Sequence, residues 1–346
     1  MSLLFNKISD HHSNELPFVC FRKPNEKTIK GVFCQSDELH YTKDYTERGF
    51  VFAPFNAEES SLIFPYVSCE FLEETAAIHV EEGAKKFEVV TSDKAKHLHL
   101  VERGVEAIEE GKFKKVVLSR IEEVQIDDFQ LVSVFQRMLQ KYENAFVYVW
   151  YHPKVGLWLG ATPERLVTLK GNEFKTMALA GTQSFEGNMK PDWGEKEQKE
   201  HQFVVDFIVS QIQKSSIEDL YVSETYTAKA GNLLHLKADI SGKIKGDKLQ
   251  DILHILHPTP AVCGLPKIES RDFILEEEGY SRKYYSGFLG EINITSQTEL
   301  FVNLRCMEFS KTLANIYVGG GITSQSDSEK EWEETIAKTQ TIKSIL

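Results

Sequence analysis

The sequence predicts an α+β fold. Segments with strand character outnumber helices, they come in hairpin pairs, and long helices punctuate them; that is the pattern of antiparallel sheets with helices packed outside. The strict strand–helix alternation of a doubly wound nucleotide-binding sheet is missing. The chain has 346 residues with no internal repeat, low-complexity tract or Pro/Gly/Ser linker. That length accommodates one large domain or two of ordinary size.

Residues 1 to about 90 show only alternation, at Thr28–Gln35 and Ile78–Val90, which suggests strands. Lys94–Glu110 carries Leu98, Val101, Val105 and Ile108 at helical spacing and stops at Gly111. Lys114–Ile126, rich in Val and Ile, reads as a long strand, and Gln130–Tyr142 as a helix. Strands recur at Ala145–His152 and Gly156–Leu159, and Arg165–Ala178 reads as a hairpin turned at Gly171-Asn172. A long helix is expected over Gly194–Lys214, a second hairpin within Leu220–Lys245, and a short helix over Lys248–Leu256, stopped by His257-Pro258-Thr259-Pro260. Ser270–Glu278 reads as helix, and Tyr284–Ile294, Glu299–Glu308 and Leu313–Val318 as consecutive strands. Gly319-Gly320-Gly321 is expected to interrupt there, and Asp327–Ile345 to close the chain as a helix.

Composition narrows the function classes. The chain is 41% hydrophobic and 27% charged, an ordinary globular profile. Its 52 acidic and 40 basic residues give a net charge of −12, a sign that attracts neither nucleic acid nor an anionic membrane. The five cysteines are odd in number and lack a Cys-x-x-Cys pair. They read as reduced thiols of a cytoplasmic protein, not as a disulfide framework or zinc site. Met1–Asp10 lacks the basic and apolar regions of a signal peptide, and runs such as Ala145–Tyr151 are too short to span a bilayer.

Two acidic stretches share one spacing. Glu197 and Glu200, and again Glu331 and Glu334, stand three residues apart in expected helices, so each pair shares a helical face. Either pair alone reads more simply as a solvated helix face. If the faces meet, however, the crowded carboxylates demand a cation and suit a hard ion such as Mg²⁺. Lys115 heads the run Lys115-Val116-Val117-Leu118-Ser119-Arg120 and alternates with Val116 across a strand. It is either an edge lysine reaching water or a general base whose ammonium form is disfavoured by burial or a nearby cation. Glu164, after Pro163 and before Leu166-Val167, is either a turn carboxylate paired to Arg165 or a carboxyl kept protonated as a general acid. Ala180-Gly181-Thr182 is a small-residue turn with a hydroxyl, and His235 lies among leucines. Tyr285 begins a strand, and Arg305 needs an anionic partner within an apolar one. The triple glycine is either a bend or a place where backbone N–H groups approach an anion.

In this order the segments resemble the chorismate-utilising enzymes. The resemblance covers about Lys94 to the C-terminus and rests on KVVLSR (115–120), GATPERL (160–166), ALAGT (178–182), KEHQFVV (199–205), LHPTPAVCG (256–264), YSGFLGEI (285–292), FVNLRC (301–306) and GGGITSQSDSEKEWEET (319–335). It implies a single domain over 1–346: two antiparallel sheets packed together, helices outside and a deep active-site cleft. Residues 1–93 would be its short variable part and 94–346 its motif-bearing catalytic region. Amino-transferring members lack a lysine at the position of Lys115, and some carry a lysine where this chain has Ala180, so water is the implied nucleophile and no amidotransferase subunit is expected. The apolar pair Ala261-Val262 resembles isochorismate synthases, where salicylate synthases tend to have Thr-Ala.

The resemblance therefore implies a Mg²⁺-dependent isochorismate synthase serving menaquinone or catechol-siderophore synthesis; with no exposed heptad or long apolar stripe to demand a partner, a monomer is expected. A salicylate synthase and a catalytically silent homologue are the alternatives. Glu200 and Glu334 would ligate the metal, with Glu197 and Glu331 around its waters. Lys115 would activate water and Glu164 would protonate the departing hydroxyl. Tyr285, Arg305 and Lys338, with backbone N–H groups of Gly319 and Gly321, would hold the enolpyruvyl carboxylate. Gly181 and Thr182 would lie near the ring and His235 near the enolpyruvyl group.

Overall fold

The computed structural model describes residues 2–75, 87–91, 93–215, 217–230, 233–245 and 249–346. The first part of the chain forms α1 (Leu3–Ser13), β1 (Phe18–Arg22), β2 (Ile29–Cys34), β3 (Tyr41–Thr42), β4 (Gly49–Ala53), β5 (Ser61–Pro65), β6 (Cys69–Glu74) and β7 (Glu88–Thr91). The middle forms α2 (Lys94–Glu109), β8 (Lys115–Gln125), α3 (Leu131–Lys141), β9 (Phe146–His152), β10 (Gly156–Thr162), β11 (Arg165–Lys170), β12 (Glu173–Ser184) and α4 (Glu195–Ile212). The last part forms β13 (Ile217–Val222), β14 (Tyr226–Ala230), β15 (Leu233–Ile244), α5 (Leu249–Leu256), β16 (Gly264–Leu265), α6 (Lys267–Glu277), β17 (Phe288–Ile294), β18 (Gln297–Val302), β19 (Cys306–Ser310), β20 (Leu313–Ile322) and α7 (Ser328–Lys343).

The strands make two antiparallel sheets. One runs β16-β8-β20-β19-β10-β9-β1-β2-β6, with β7 also on β8; the other runs β13-β15-β12-β11-β18-β17-β4-β5-β3, with β14 also on β15. Their facing sides meet in an aromatic core that includes Phe21, Phe52, Phe146, Trp150, Trp158 and Phe301. Phe64 lies flat on Trp150 with ring centroids 5.2 Å apart, and Phe52 lies on Tyr284 at 4.2 Å. Helices cover the outer faces. The apolar stripes of α1 and α3 pack on the first sheet, those of α4 and α5 on the second, and α2 and α6 close over β8 and β16. Asp93 and Asp327 cap α2 and α7, each accepting a backbone N–H of the first turn. The α+β class, the two packed sheets and the outer helices agree with the sequence expectation. Among the described residues no helix is long and apolar enough to cross a membrane.

Four local expectations change. Glu299–Glu308 is not one strand: β18 and β19 belong to different sheets, and Asn303–Arg305 carries the chain between them with Arg305 at φ 49°. Asn303 pins that crossing, accepting from Tyr148 Oη at 2.6 Å and donating to the carbonyl of Tyr284 at 2.9 Å. Gly319-Gly320-Gly321 does not interrupt: these residues stay in β20, opposite Ser119, Leu118 and Val117 of β8. Cys34 and Cys69 form a disulfide, against the expectation of reduced thiols, because β2 and β6 pair them directly across the sheet; Cys20, Cys263 and Cys306 are free and buried. The weakly patterned N-terminal part contains the unanticipated α1, which buries Leu4, Phe5 and Ile8. Of the strand expected over Ile78–Val90, residues 78–86 lie outside the described residues, and β7 begins at Glu88.

Trp158 is 0% exposed at the centre of the inter-sheet core. Trp158→Ala is expected to destabilise the fold by ~3–5 kcal/mol, the usual range for deleting a large buried ring. Urea unfolding followed by fluorescence checks it, and a midpoint close to that of the parent would contradict this placement.

Candidate active site

Most of the residues singled out by sequence come together. All of them except Lys115, Glu197 and Glu331 line a single cleft with about 730 Å³ of atom-free space. Strand ends and helix starts build it. β20 supplies Gly319–Gly321, β12 supplies Ala180–Thr182, the segment after β10 supplies Glu164, and the sheet crossing supplies Arg305. Helices α4 and α7 bring Glu200, Glu334 and Lys338.

The glycines of β20 set the geometry. A Cβ on Gly320 would lie 3.2 Å from Glu331 Oε2 and 3.7 Å from Glu334 Oε1, and one on Gly321 would collide with Glu200 Oε1. Three carboxylates from two helices therefore lie against a strand segment that has no side chains, Glu331 and Glu334 at Gly320 and Glu200 at Gly321. Glu197 does not join them. Its carboxylate turns back to the start of its own helix, 2.6 Å from where a Gly194 Cβ would stand, a place the helix dipole favours.

Each converging carboxylate meets an ammonium. Lys115 Nζ is 3.0 Å from Glu200 Oε1, Lys196 pairs with Glu331, and Lys338 pairs with Glu334. Lys115 is 0% exposed, so the edge-lysine alternative is removed. It lies behind the cleft wall, its Cε 3.1 Å from the position of a Gly321 Cβ. Burial pushes the Glu200 carboxyl up, but Lys115, and then Lys338 and Lys196, hold it below its usual value. Burial raises Glu331, and neighbouring Glu334 adds to the rise. Lys196 escaped the sequence reading, although its place beside Glu197 in an expected helix was visible.

Glu164 behaves differently. It is 5% exposed and forms no ion pair with Arg165, which binds Glu299 at 3.0 Å instead. Burial pushes its carboxyl up to about 8, with Lys115 pulling slightly the other way. At neutral pH it therefore keeps its proton, as a general acid must.

On the far side, the β12–β15 pairing shifts register between Ala180 and Gln183, leaving Gly181 and Thr182 in a bulge with Gly181 at φ 70°. The carbonyl of Gly181 is 2.9 Å from His235 Nδ1, and Thr182 Oγ1 is 3.3 Å from it. Burial pushes His235 down to about 3, so the ring is neutral; with Nδ1 donating to Gly181, Nε2 is a buried acceptor without a partner. Arg305 donates to the carbonyl of Lys338 at 3.3 Å, and no carboxylate of the described residues forms an ion pair with it. Tyr285 stacks on Tyr317, centroids 5.4 Å apart. A residue outside the cleft, Arg282, fixes two of its walls at once: it donates to the carbonyls of Val117 at 2.6 Å and Val262 at 2.8 Å while Glu278 neutralises it. The cleft thus combines a paired buried lysine, a protonated carboxyl, an unpaired guanidinium and an acidic cluster.

The Glu164 environment makes a stability prediction. Between its ordinary value of 4.5 and about 8, the folded chain holds a proton that the unfolded chain has released. Stability must therefore fall as pH rises through that window, by a few kcal/mol in all. Glu164→Gln is expected to remove this loss and to unfold at a higher temperature than the parent at pH 8. Equal thermal midpoints at pH 5 and pH 8 in both proteins would show that Glu164 is not held protonated.

Comparisons with known proteins identify the family. The family model described as chorismate binding enzyme matches residues 68–346. Over 270 residues the chain is 30% identical to the isochorismate synthase MenF of Escherichia coli (strain K12), covering 73% of this chain and 61% of that protein. It is 28% identical to the isochorismate synthase DhbC of Bacillus subtilis (strain 168), covering 70% and 65%. The chain thus spans under two thirds of the length of these relatives. In fold it is similar to the crystal structure of a 2,3-dihydroxybenzoate-specific isochorismate synthase from Bacillus anthracis, with TM-score 0.82 over 99% of both chains at 23% identity.

Proposed function

Since this chain belongs to the chorismate-binding enzymes, we propose that it converts chorismate to isochorismate with the help of Mg²⁺. The observation that carries the reading is the coexistence, in one cleft, of a carboxyl held protonated near neutral pH and a fully buried lysine paired to an acidic cluster. Isomerisation of this substrate class needs one group to take a proton from water and another to give one to a departing hydroxyl. Lys115, released from Glu200 as the neutral amine, takes the proton of a water that attacks C2 of the ring. Glu164 gives its proton to the 4-hydroxyl, which leaves as water while the ring double bonds shift. Water gained equals water lost, so the product is an isomer. Arg305, Lys338 and Tyr285 hold the enolpyruvyl carboxylate, with the backbone of Gly319 and Gly321 beside them. Ala180, Gly181 and Thr182 border the ring, the neutral His235 offers Nε2 as an acceptor, and Ala261 and Val262 form an apolar wall.

Among the described residues no three acidic, histidine or cysteine side chains stand as a ready-made metal site; what supports the metal reading is the chemistry of the donors, since Glu200, Glu331 and Glu334 all lie about the glycines of β20 and offer the hard oxygens that Mg²⁺ takes. Glu200 and Glu334 would hold Mg²⁺ directly. Glu331 would face its waters, as magnesium retains several, and Glu197 would do so after turning from Gly194. Bound there, the ion would supply positive charge for the ring carboxylate of a dianionic substrate. Salicylate formation is the rival outcome. The apolar Ala261-Val262 pair in the cleft wall favours release of isochorismate.

Lys115→Ala is expected to lower kcat by at least ~100-fold with chorismate as substrate, the scale of losing a general base. Near-normal turnover would remove Lys115 from the mechanism. In a separate assay, EDTA should abolish turnover and added Mg²⁺ restore it, with isochorismate accumulating and no salicylate fluorescence. Metal-independent turnover would exclude the metal role, and a rising salicylate signal would favour the rival.

A further inference from the structure

A second cavity lies against the acidic end of the cleft. It opens between the end of α2, the start of β8, α4 and the turn after β20, with about 1100 Å³ of atom-free space. Lys112, Lys114, Lys196 and Lys199 line it, together with Phe113 and Phe203. In a chain of net charge −12 this is a local reversal of sign. Among the described residues Lys112 and Lys199 pair only with the exposed Glu110 at 2.9 Å and Glu195 at 3.2 Å. Water and salt leave such pairs little strength. Lys114 is exposed and makes no ion pair among the described residues. Lys196 differs. Its ammonium reaches inward to Glu331, which is 2% exposed and meets Glu334 at Gly320. One ion pair therefore belongs both to this cavity and to the acidic cluster.

We propose that this cavity is a second anion site, for a small dianion with a planar apolar body, and that its occupancy reaches the acidic cluster through Lys196. Lys112, Lys114 and Lys199 hold the anionic groups, and the half-buried Phe203 takes the apolar body, with the buried Phe113 as the floor behind it. An anion in the cavity competes with Glu331 for Lys196. Glu331, released, is free to face the hydration shell of a divalent cation, and one positive charge moves away from that cation. Anion and metal then each bind more tightly in the presence of the other, since such coupling is reciprocal. The coupling rests on the metal reading above, whereas the anion site does not.

Phthalate, a rigid aromatic dianion, is the probe. Calorimetric titration into the metal-free full chain is expected to show binding that weakens about tenfold in the double variant Lys112→Gln, Lys114→Gln, the scale of losing two charges at a partly solvated site. The same binding should persist in Arg305→Gln. Absence of binding overturns the site, and so does binding that survives the lysine changes but vanishes with Arg305, because the dianion then occupies the main cleft. At saturating phthalate the Kd for Mg²⁺ should fall several-fold, and Lys196→Gln should erase that difference. A Mg²⁺ Kd indifferent to phthalate overturns the coupling. Failure of Mg²⁺ to bind in any state overturns the metal reading and the coupling with it, and the lysine variants alone then decide the anion site.

Discussion

The site depends on side chains that are not there. β20 passes through the most crowded part of the molecule as Gly319-Gly320-Gly321, and none of the three has a positive φ that would by itself demand glycine. The demand is for space. A Cβ on Gly319 would press within 2.7 Å of the carbonyl of Leu118, and those on Gly320 and Gly321 would occupy the volume taken by Glu331, Glu334, Glu200 and Lys115. Because the ladder to β8 is kept, the backbone groups stay paired while the strand surface remains bare. There α4 and α7, distant in sequence, bring their carboxylates against the same strand.

Crowding carboxylates in a poorly solvated place is costly, and the chain answers with lysines of three different origins. Lys115 comes from a sheet strand, Lys196 from α4 and Lys338 from α7. A buried ion pair adds little net stability but becomes expensive once one partner is removed. The set is therefore better read as a charge-balanced reserve than as a stabilising network. Glu164 takes the opposite course: with no ammonium in ion-pair contact, it avoids ionisation by keeping its proton. Glu200 and Glu164, both buried in one cleft, thus differ in whether a cation is in contact, whereas at Glu331 burial and the neighbouring Glu334 outweigh the ammonium of Lys196.

Much of this was legible in the sequence. The helices that carry the acidic pairs, the strand headed by Lys115 and the turn that holds Glu164 fall close to where periodicity and turn residues put them. What escaped has physical reasons. The sheet crossing at Asn303–Arg305 hides inside one apolar run, since alternation reports a buried strand but not which sheet it joins. The glycines suggested a break because their intrinsic strand preference is poor, whereas pairing with β8 overrides it. Cys34 and Cys69 are matched only through β2–β6 pairing, which their spacing does not reveal. Glu197 shares a helical face with Glu200, but its side chain follows the pull of its own helix terminus, a choice that face geometry leaves open. Lys196 was overlooked for the converse reason, as a flexible cation beside acids looks like surface decoration until its partner is found buried.

The pairing of β8 with β20 also orders events during synthesis. Val116 finds its partner in Ile322, and Gln125 in Leu313, so this side of β8 stays unpaired until β20 has been made. Contacts that distant are slow to form, and an open strand edge invites mispairing. The short pairings of β8 with β7 and β16 cover only its two ends. Its middle, with Ser119 and Arg120, waits for β20 to emerge from the ribosome. The cleft thus cannot be completed before β20 is made, since only then do Glu200 and Glu334 have the bare strand they lie against.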